Sequence, residues 1–304
     1  MRMWRSLLFV PANLKKMVDK VHSLPADGFI FDLEDTVPAD QKQVAREMAR
    51  ETMAKVAGDR SWVRCNSIPT GFIHEDIEAF VGAQGFSGFV VPKVDSLEDS
   101  AAVDRMIASV ETRRGLKVGS TPVIVMIESA GGALDARKIF TAASRIESGI
   151  YAGGEDGDMN TSLGAMWTSA GPEMMFVRQI TLTAMRAANI ECPLDGVYSN
   201  VRDAEGFRSD TELSRRLGFR GRPAIHPGQI EMANEIYTPT KAQVDYYTRV
   251  VNAYKEALTR GTASTTVDGK LVDVAMFNTA QRLLDHMESI KQLEALIGSH
   301  TRQK

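Results

Sequence analysis

PVIVMIESAGGALDA at residues 122–136 and GIYAGGEDGD at residues 149–158 share one design: an apolar run rich in β-branched residues stops abruptly on carboxylates. Val123–Ile127 runs into Glu128, and the run from Ile150 to Gly154 meets Glu155 and Asp156. A carboxylate at the end of a buried strand is unfavourable unless it is paired or holds a cation. Two such acids on neighbouring strands make a hard-oxygen site of the kind Mg²⁺ takes. The alternative is structural, with Glu128 capping a helix near Ala133 and Asp156 pairing with an arginine. The residue types alone leave both open.

The same alternation extends outward along the chain. Apolar runs at Leu7–Val10, Gly28–Leu33, Trp62–Cys65, Gly88–Val91, Gly196–Tyr198 and Ala224-Ile225 join the central two, and amphipathic segments separate them. Strands alternating with helices imply a parallel sheet with crossover connections. Eight units in about 240 residues fit a (β/α)8 TIM barrel. A doubly wound sheet usually carries a glycine-rich phosphate turn after its first strand, and PANLKK at 11–16 is not one. Ser96, with Asp99 three residues on, predicts a helix start. From Thr240 the pattern changes: a long helix, then TTVDGKLVD at 265–273 with a hairpin turn at Asp268-Gly269, then a last helix from Val274. The predicted organisation is a barrel domain over residues 1–239 and a C-terminal helical and hairpin extension over 240–304, suited to a lid or a subunit-exchanging arm.

Composition narrows the function classes. Of 304 residues, 43% are apolar and 25% charged, which is globular and not disordered. A net charge of −3 offers no bulk attraction for nucleic acid or an anionic membrane surface. Cys65 and Cys192 are too few for a disulfide framework, so a reduced, cytoplasmic protein is expected. The apolar run in MRMWRSLLFVPAN is too short for a secretory segment, and no run approaches a membrane span.

Other residues at strand ends carry chemistry. Arg64 lies inside an apolar run, so a carboxylate partner is expected, either Asp32 or Glu34; equally, its planar fork suits the carboxylate or carbonyl of a small oxoacid. Asp32, Glu34 and Asp35 crowd one strand end. Lys15, Lys16 and Lys20 present either a phosphate patch or ordinary surface lysines. His226, before Pro227, is either catalytic or a loop hydrogen-bonding group. Asp273 stands at a routine N-cap position.

These stretches, together with RSLLFVPAN at 5–13, ADGFIFDLEDTVP at 26–38, VRCN at 63–66, GFVVPKVDS at 88–96, DGVYSN at 195–200 and LGFRGRPAIHPGQI at 217–230, resemble the citrate lyase beta subunit group of the HpcH/HpaI aldolase family, which includes malyl-CoA and citramalyl-CoA lyases. The resemblance implies a Mg²⁺-dependent (β/α)8 barrel that assembles as a homotrimer or hexamer. It implies a carbon–carbon lyase acting on a CoA thioester and a small 2-oxoacid. Glu128 and Asp156 are implied as metal ligands, and Arg64 as the group gripping the oxoacid or enolate oxygen, with Glu34 and Asp35 in the surrounding shell. Phe9 and Lys20 match positions that contact coenzyme A. Glu155, Ile225 and His226 match positions along the substrate path. Asp35 stands where the free-acid aldolases carry a histidine, which favours the CoA-ester branch. GKLVDVAMFNTA at 269–280 is similar to the C-terminal segment of malyl-CoA lyases, in which an aspartate, here Asp273, reaches the neighbouring subunit's site. Gly154, Gly157 to Met159, Ser199-Asn200 and Arg222 depart from the family pattern near the ligand-facing loops and bear on substrate identity.

Overall fold

Parallel strands need a crossover between them, and the connecting helices cover the sheet faces, so the strands are buried throughout. The computed structural model describes residues 2–168 and 171–301. Among these, β1 (Ser6–Pro11), β2 (Gly28–Asp32), β3 (Ser61–Arg64), β4 (Gly88–Val91), β5 (Val123–Ile127), β6 (Ile146–Tyr151) and β7 (Arg222–Ala224) form one parallel sheet. Its order is β6-β5-β4-β3-β2-β1-β7. Every residue of β2, β3, β4 and β5 is buried, which is why they read as continuous apolar runs. Helices α2 (Lys42–Met53), α3 (Ile73–Phe80), α4 (Leu97–Arg113), α5 (Ala130–Phe140), α7 (Met175–Ala187) and α8 (Ala204–Leu217) belong to the connections; two shorter ones, α1 (Lys15–Val18) and α6 (Asp158–Leu163), follow β1 and β6. The α4 start is the predicted one: Ser96 Oγ accepts from Asp99 N–H at 3.1 Å and donates to its carboxylate at 2.8 Å.

One expected strand is absent. Gly196–Tyr198 forms no ladder, and Leu194 instead makes a single parallel bridge to Ile150 in β6 and another to Gly221 beside β7. Leu194 N–H donates to Gly149 O at 2.9 Å and Leu194 O accepts from Tyr151 N–H at 3.0 Å. The next residues cannot continue the ladder. A Cβ on Gly196 would lie 2.3 Å from Gly153 O and 3.0 Å from Tyr151 O. The Gly196 carbonyl is taken by the Arg222 guanidinium, at 3.1 and 2.7 Å. β6 also starts and ends earlier than predicted, stopping at Tyr151 and not at Gly154.

The N-terminal strand ends are tied by buried ion pairs. Arg5 donates to Asp27 from its backbone, Nε and Nη2 at 2.7, 2.9 and 2.8 Å. Arg145, just before β6, reaches both Glu111 oxygens at 3.0 and 3.1 Å, Asp104 at 2.5 Å and Thr121 O at 3.1 Å.

The chain divides into two compact units, Trp4–Ile236 and a C-terminal one from Tyr237 onward. In the second, α10 (Lys241–Thr259) opens with a reciprocal cap between Thr240 and Gln243. The hairpin is formed as predicted, β8 (Thr265–Val267) pairing antiparallel with β9 (Lys270–Val272), and the turn at Asp268-Gly269 has φ of 50° and 74°. Helix α11 (Val274–Thr301) follows, and Tyr254 stacks on Phe277 with centroids 5.0 Å apart. Among the described residues no helix is long and apolar enough to cross a membrane.

Burial works against the Glu111 charge, but Arg145 and the N–H groups of Gly119 and Thr121 outweigh it and hold its pKa down at about 2. A depressed carboxylate stabilises the fold above its unfolded value of 4.5, and that contribution is lost as pH falls toward about 2. Glu111→Gln is expected to cost about 3 kcal/mol at pH 7, because it breaks a buried ion pair and leaves Arg145 with the partly exposed Asp104 as its one carboxylate among the described residues. Urea unfolding at pH 7 and pH 3 should show the gap between wild type and variant narrowing at the lower pH.

Candidate active site

Asp32 and Arg64 end β2 and β3 and lie opposite each other in the parallel register. The carboxylate accepts from Nε at 2.6 Å and Nη2 at 2.7 Å, a bidentate pair that locks the guanidinium plane. Phe9 of β1 lies 4.9 Å from the same guanidinium, ring centroid to Cζ. The remaining nitrogen, Nη1, stands 3.1 Å from Glu34 and 3.9 Å from Asp35. Both candidate partners of Arg64 are therefore engaged, on different edges. Burial opposes the charges of Arg64 and Asp32, but their mutual hydrogen bonds and attraction win. They hold the arginine pKa above its ordinary value and the aspartate below its own. Asp32 also accepts from Glu34 N–H at 3.0 Å and Thr36 Oγ1 at 2.6 Å. Lys42 of α2 donates to Leu33 O and Glu34 O at 2.6 and 2.9 Å. The loop after β2 is thereby pinned around the arginine.

Glu128 follows β5 without capping α5. That cap is Ser129, whose Oγ accepts from Gly132 N–H at 3.0 Å. Glu128 is 7% exposed, and among the described residues it has one hydrogen bond, from the backbone N–H of Lys93 at 3.0 Å, and no ion pair. Burial, reinforced by the charge of Glu34, pushes its pKa up to about 7. Burial likewise raises Glu34. Both Glu34 oxygens lack a well-directed hydrogen bond, although Lys93 Nζ at 2.9 Å and Arg64 Nη1 at 3.1 Å stand beside them. Asp156 sits in the left-handed region at φ 54°, a conformation aspartate tolerates better than most residues. No arginine pairs with it among the described residues. Both structural alternatives for the central acids are thus overturned.

A cavity of about 410 Å³ opens at the C-terminal strand ends, lined among others by Phe9, Asp32, Asp35, Arg64, Glu128, Glu155, Asp156, Asp158, Pro223 and Ile225. The predicted residues Phe9, Asp35, Arg64, Glu128, Glu155, Asp156 and Ile225 are brought together there, with Glu34 behind Arg64. Lys20 does not line it; it is exposed, beyond α1. His226 is exposed and caps a short turn, its Nδ1 accepting from Gly228 N–H at 3.1 Å. Asp273 belongs to the C-terminal unit and caps α11, accepting from Ala275 and Met276 N–H at 2.9 and 3.0 Å. Arg222 turns away from the cavity: fully buried, it bonds Gly196 O, Thr211 and Asp210. Its departure from the family pattern therefore bears on packing and not on ligand contact. Lys93, which sequence alone did not single out, reaches Glu34, Asp35 and Asp158 at 2.9, 3.0 and 3.5 Å. Its only sequence signal is its place just after a strand end, following Pro92.

The donor set fits a hard cation. Seven carboxylates line or adjoin the cavity (Asp32, Glu34, Asp35, Glu128, Glu155, Asp156 and Asp158), and two cations, Arg64 and Lys93, face them. The described residues hold no group of three or more His, Cys, Asp or Glu side chains arranged as a ready metal site. A two-carboxylate site remains, the number Mg²⁺ uses when water and substrate oxygens complete its shell.

A cavity at the C-terminal ends of a parallel sheet, apolar-walled but bearing several carboxylates, with a locked arginine and a buried carboxylate without an ion pair, defines an enzyme of the α/β class. Residues 5–227 match the family described as HpcH/HpaI aldolase/citrate lyase, and the chain belongs to that family, whose lyases make and break carbon–carbon bonds. It is 34% identical to the citrate lyase subunit beta of Leuconostoc mesenteroides subsp. cremoris, over 93% of this chain and 93% of that one. It is 32% identical to a (3S)-malyl-CoA thioesterase of Cereibacter sphaeroides, over 96% of this chain and 97% of the relative. Among solved structures, the CitE protein of Mycobacterium tuberculosis in complex with magnesium and pyruvate superposes with a TM-score of 0.64 at 26% identity, covering 79% of this chain and 92% of that one.

Arg64→Met removes the guanidinium that pairs with buried Asp32. It is expected to lower stability by about 3–5 kcal/mol, measured by urea unfolding, besides any effect on turnover.

Proposed function

We propose that the protein is a Mg²⁺-dependent lyase that cleaves and forms a 3-hydroxyacyl-CoA of the malyl-CoA or citramalyl-CoA type. The products of cleavage are an acyl-CoA and a small 2-oxoacid. One observation carries this most: Glu128, alone among the carboxylates of the cavity floor, is buried without a cationic partner. Together with Asp156 it would hold the metal, which suits the magnesium and pyruvate of the Mycobacterium tuberculosis relative. The CoA ester is supported by the malyl-CoA thioesterase relative. The fold accords with this: Leu194, bridging β6 to the residue before β7, acts as the eighth staves of a (β/α)8 barrel.

When bound, the metal supplies Lewis-acid polarisation of the forming carbonyl. Cleavage removes the proton of the substrate hydroxyl and breaks the bond between the α and β carbons of the thioester. The β carbon becomes the oxoacid carbonyl, and the electron pair moves into an acyl-CoA enolate. Arg64 stabilises that oxyanion through Nη1, since its Nε and Nη2 are committed to Asp32. Glu34 and Asp35 hold the arginine's free edge. The family resemblance gives the proton at the enolate carbon to Asp273 of a neighbouring copy. A second outcome, hydrolysis of the thioester, is favoured by the identity to the thioesterase.

Purified protein incubated with a panel of CoA esters and of free hydroxy-oxoacids, with Mg²⁺ or with EDTA, tests the assignment by mass spectrometry. Oxoacid plus acyl-CoA is expected only with Mg²⁺, and free CoA marks hydrolysis. Glu128→Gln and Asp156→Ala are each expected to lose about 100-fold or more in kcat, since such metals contribute several kcal/mol at 1.36 kcal/mol per tenfold. Full turnover by Asp156→Ala, or cleavage of free acids alone, would sink the proposal.

A further inference from the structure

Lys93 has no part in the chemistry above, yet contacts from three loops converge on it. Its backbone is left-handed at φ 53°, a conformation that glycine adopts freely and other residues seldom do. That bend allows one residue to act on both sides of the cavity floor. Its N–H donates to Glu128 Oε1 at 3.0 Å. Its ammonium reaches Glu34 Oε1 at 2.9 Å, Asp35 at 3.0 and 3.3 Å, and Asp158 at 3.5 Å. These acids come from the loop after β2 and from the start of α6.

We propose that Lys93 is a positioning residue that directs the divalent cation to Glu128. Its ammonium occupies oxygens of Glu34, Asp35 and Asp158 and offsets part of their charge, so that they compete less as a hard-oxygen set of their own. Its backbone N–H engages one oxygen of Glu128 and leaves the other for the ion. A compact ammonium with three donors suits several carboxylates at once, where the flat guanidinium fork prefers one in bidentate fashion. The cavity thus divides its cations: Arg64 takes Asp32 and shares Glu34 with Lys93, Lys93 also takes Asp35 and Asp158, and Glu128 has no side-chain cation within ion-pair distance among the described residues. The assignment rests on the metal site argued above, and it adds a residue that selects among the available acids.

Calorimetric titration of the full chain with Mg²⁺ tests it through a cycle of wild type, Glu128→Gln, Lys93→Met and the double variant. In the wild-type background Glu128→Gln is expected to weaken Mg²⁺ binding by about 30-fold, within the range for disturbed metal shells. In the Lys93→Met background the same change should cost less than about threefold, because the freed acids now take the ion. Lys93→Arg, which keeps the charge but whose fork favours one carboxylate, should restore only part of the wild-type difference. A general loosening of the fold would not produce this coupling. Equal losses in both backgrounds would overturn the role of Lys93 while leaving the Glu128 site standing. If wild type binds Mg²⁺ no better than Glu128→Gln, the metal site itself is refuted, and the Lys93 assignment with it. Should Lys93→Met fail to fold by circular dichroism, Lys93→Gln carries the same comparison.

Discussion

A guanidinium and a carboxylate facing each other across two neighbouring strands set the terms for the whole cavity. Asp32 and Arg64 are opposed by register, so their pairing needs no loop to bring them together. Two short hydrogen bonds consume one edge of the arginine, and Phe9 covers its face. What remains is the outer edge of the guanidinium, its Nη1 3.1 Å from Glu34, in a defined direction. Because Asp32 also accepts from Glu34 N–H and Thr36, the loop bearing Glu34 and Asp35 takes its course from the same pair. Pre-organisation of this sort is what lets a fixed charge act on a developing oxyanion without first reorienting.

Elsewhere among the described residues of the sheet unit, buried carboxylates have arginine partners. Asp27 has Arg5, Asp76 has Arg46, Glu111 has Arg145, and Asp195 has Arg178. Buried charges normally require such partners. Glu128 breaks that rule, and the exception is informative because the other buried carboxylates among the described residues obey it.

The strands were legible because a fully buried parallel strand announces itself as an uninterrupted apolar run, and seven of the eight expected runs coincide with strands at least in part of their length. The Ser96 cap and the Asp268-Gly269 turn were equally legible, since each depends on chemistry local to a few residues. Gly196–Tyr198 misled because its small and β-branched residues look like a strand, whereas close approach to Gly153 and capture by Arg222 decide its path. Arg64 was visible as an anomaly within an apolar run, but its division between Asp32 and Glu34 depends on rotamers. Lys93 was silent: a lysine after a proline carries no mark of a left-handed backbone. Lys20 and His226 matched family positions in sequence, and here they lie outside the cavity lining, which proximity in a motif does not foretell.

Leu194 gives the sheet an uneven mechanical character. β1 to β5 hold one another through four- and five-residue ladders or shorter runs of three, whereas the far side of β6 is stitched at one residue. Arg64 and Glu128 stand on the densely bonded part. Glu155 and Asp156 hang from the end of the strand next to the stitch. Local opening in proteins follows the density of such bonds, so one wall of the cavity is an anvil and the other a spring leaf, able to yield without disturbing the arginine opposite.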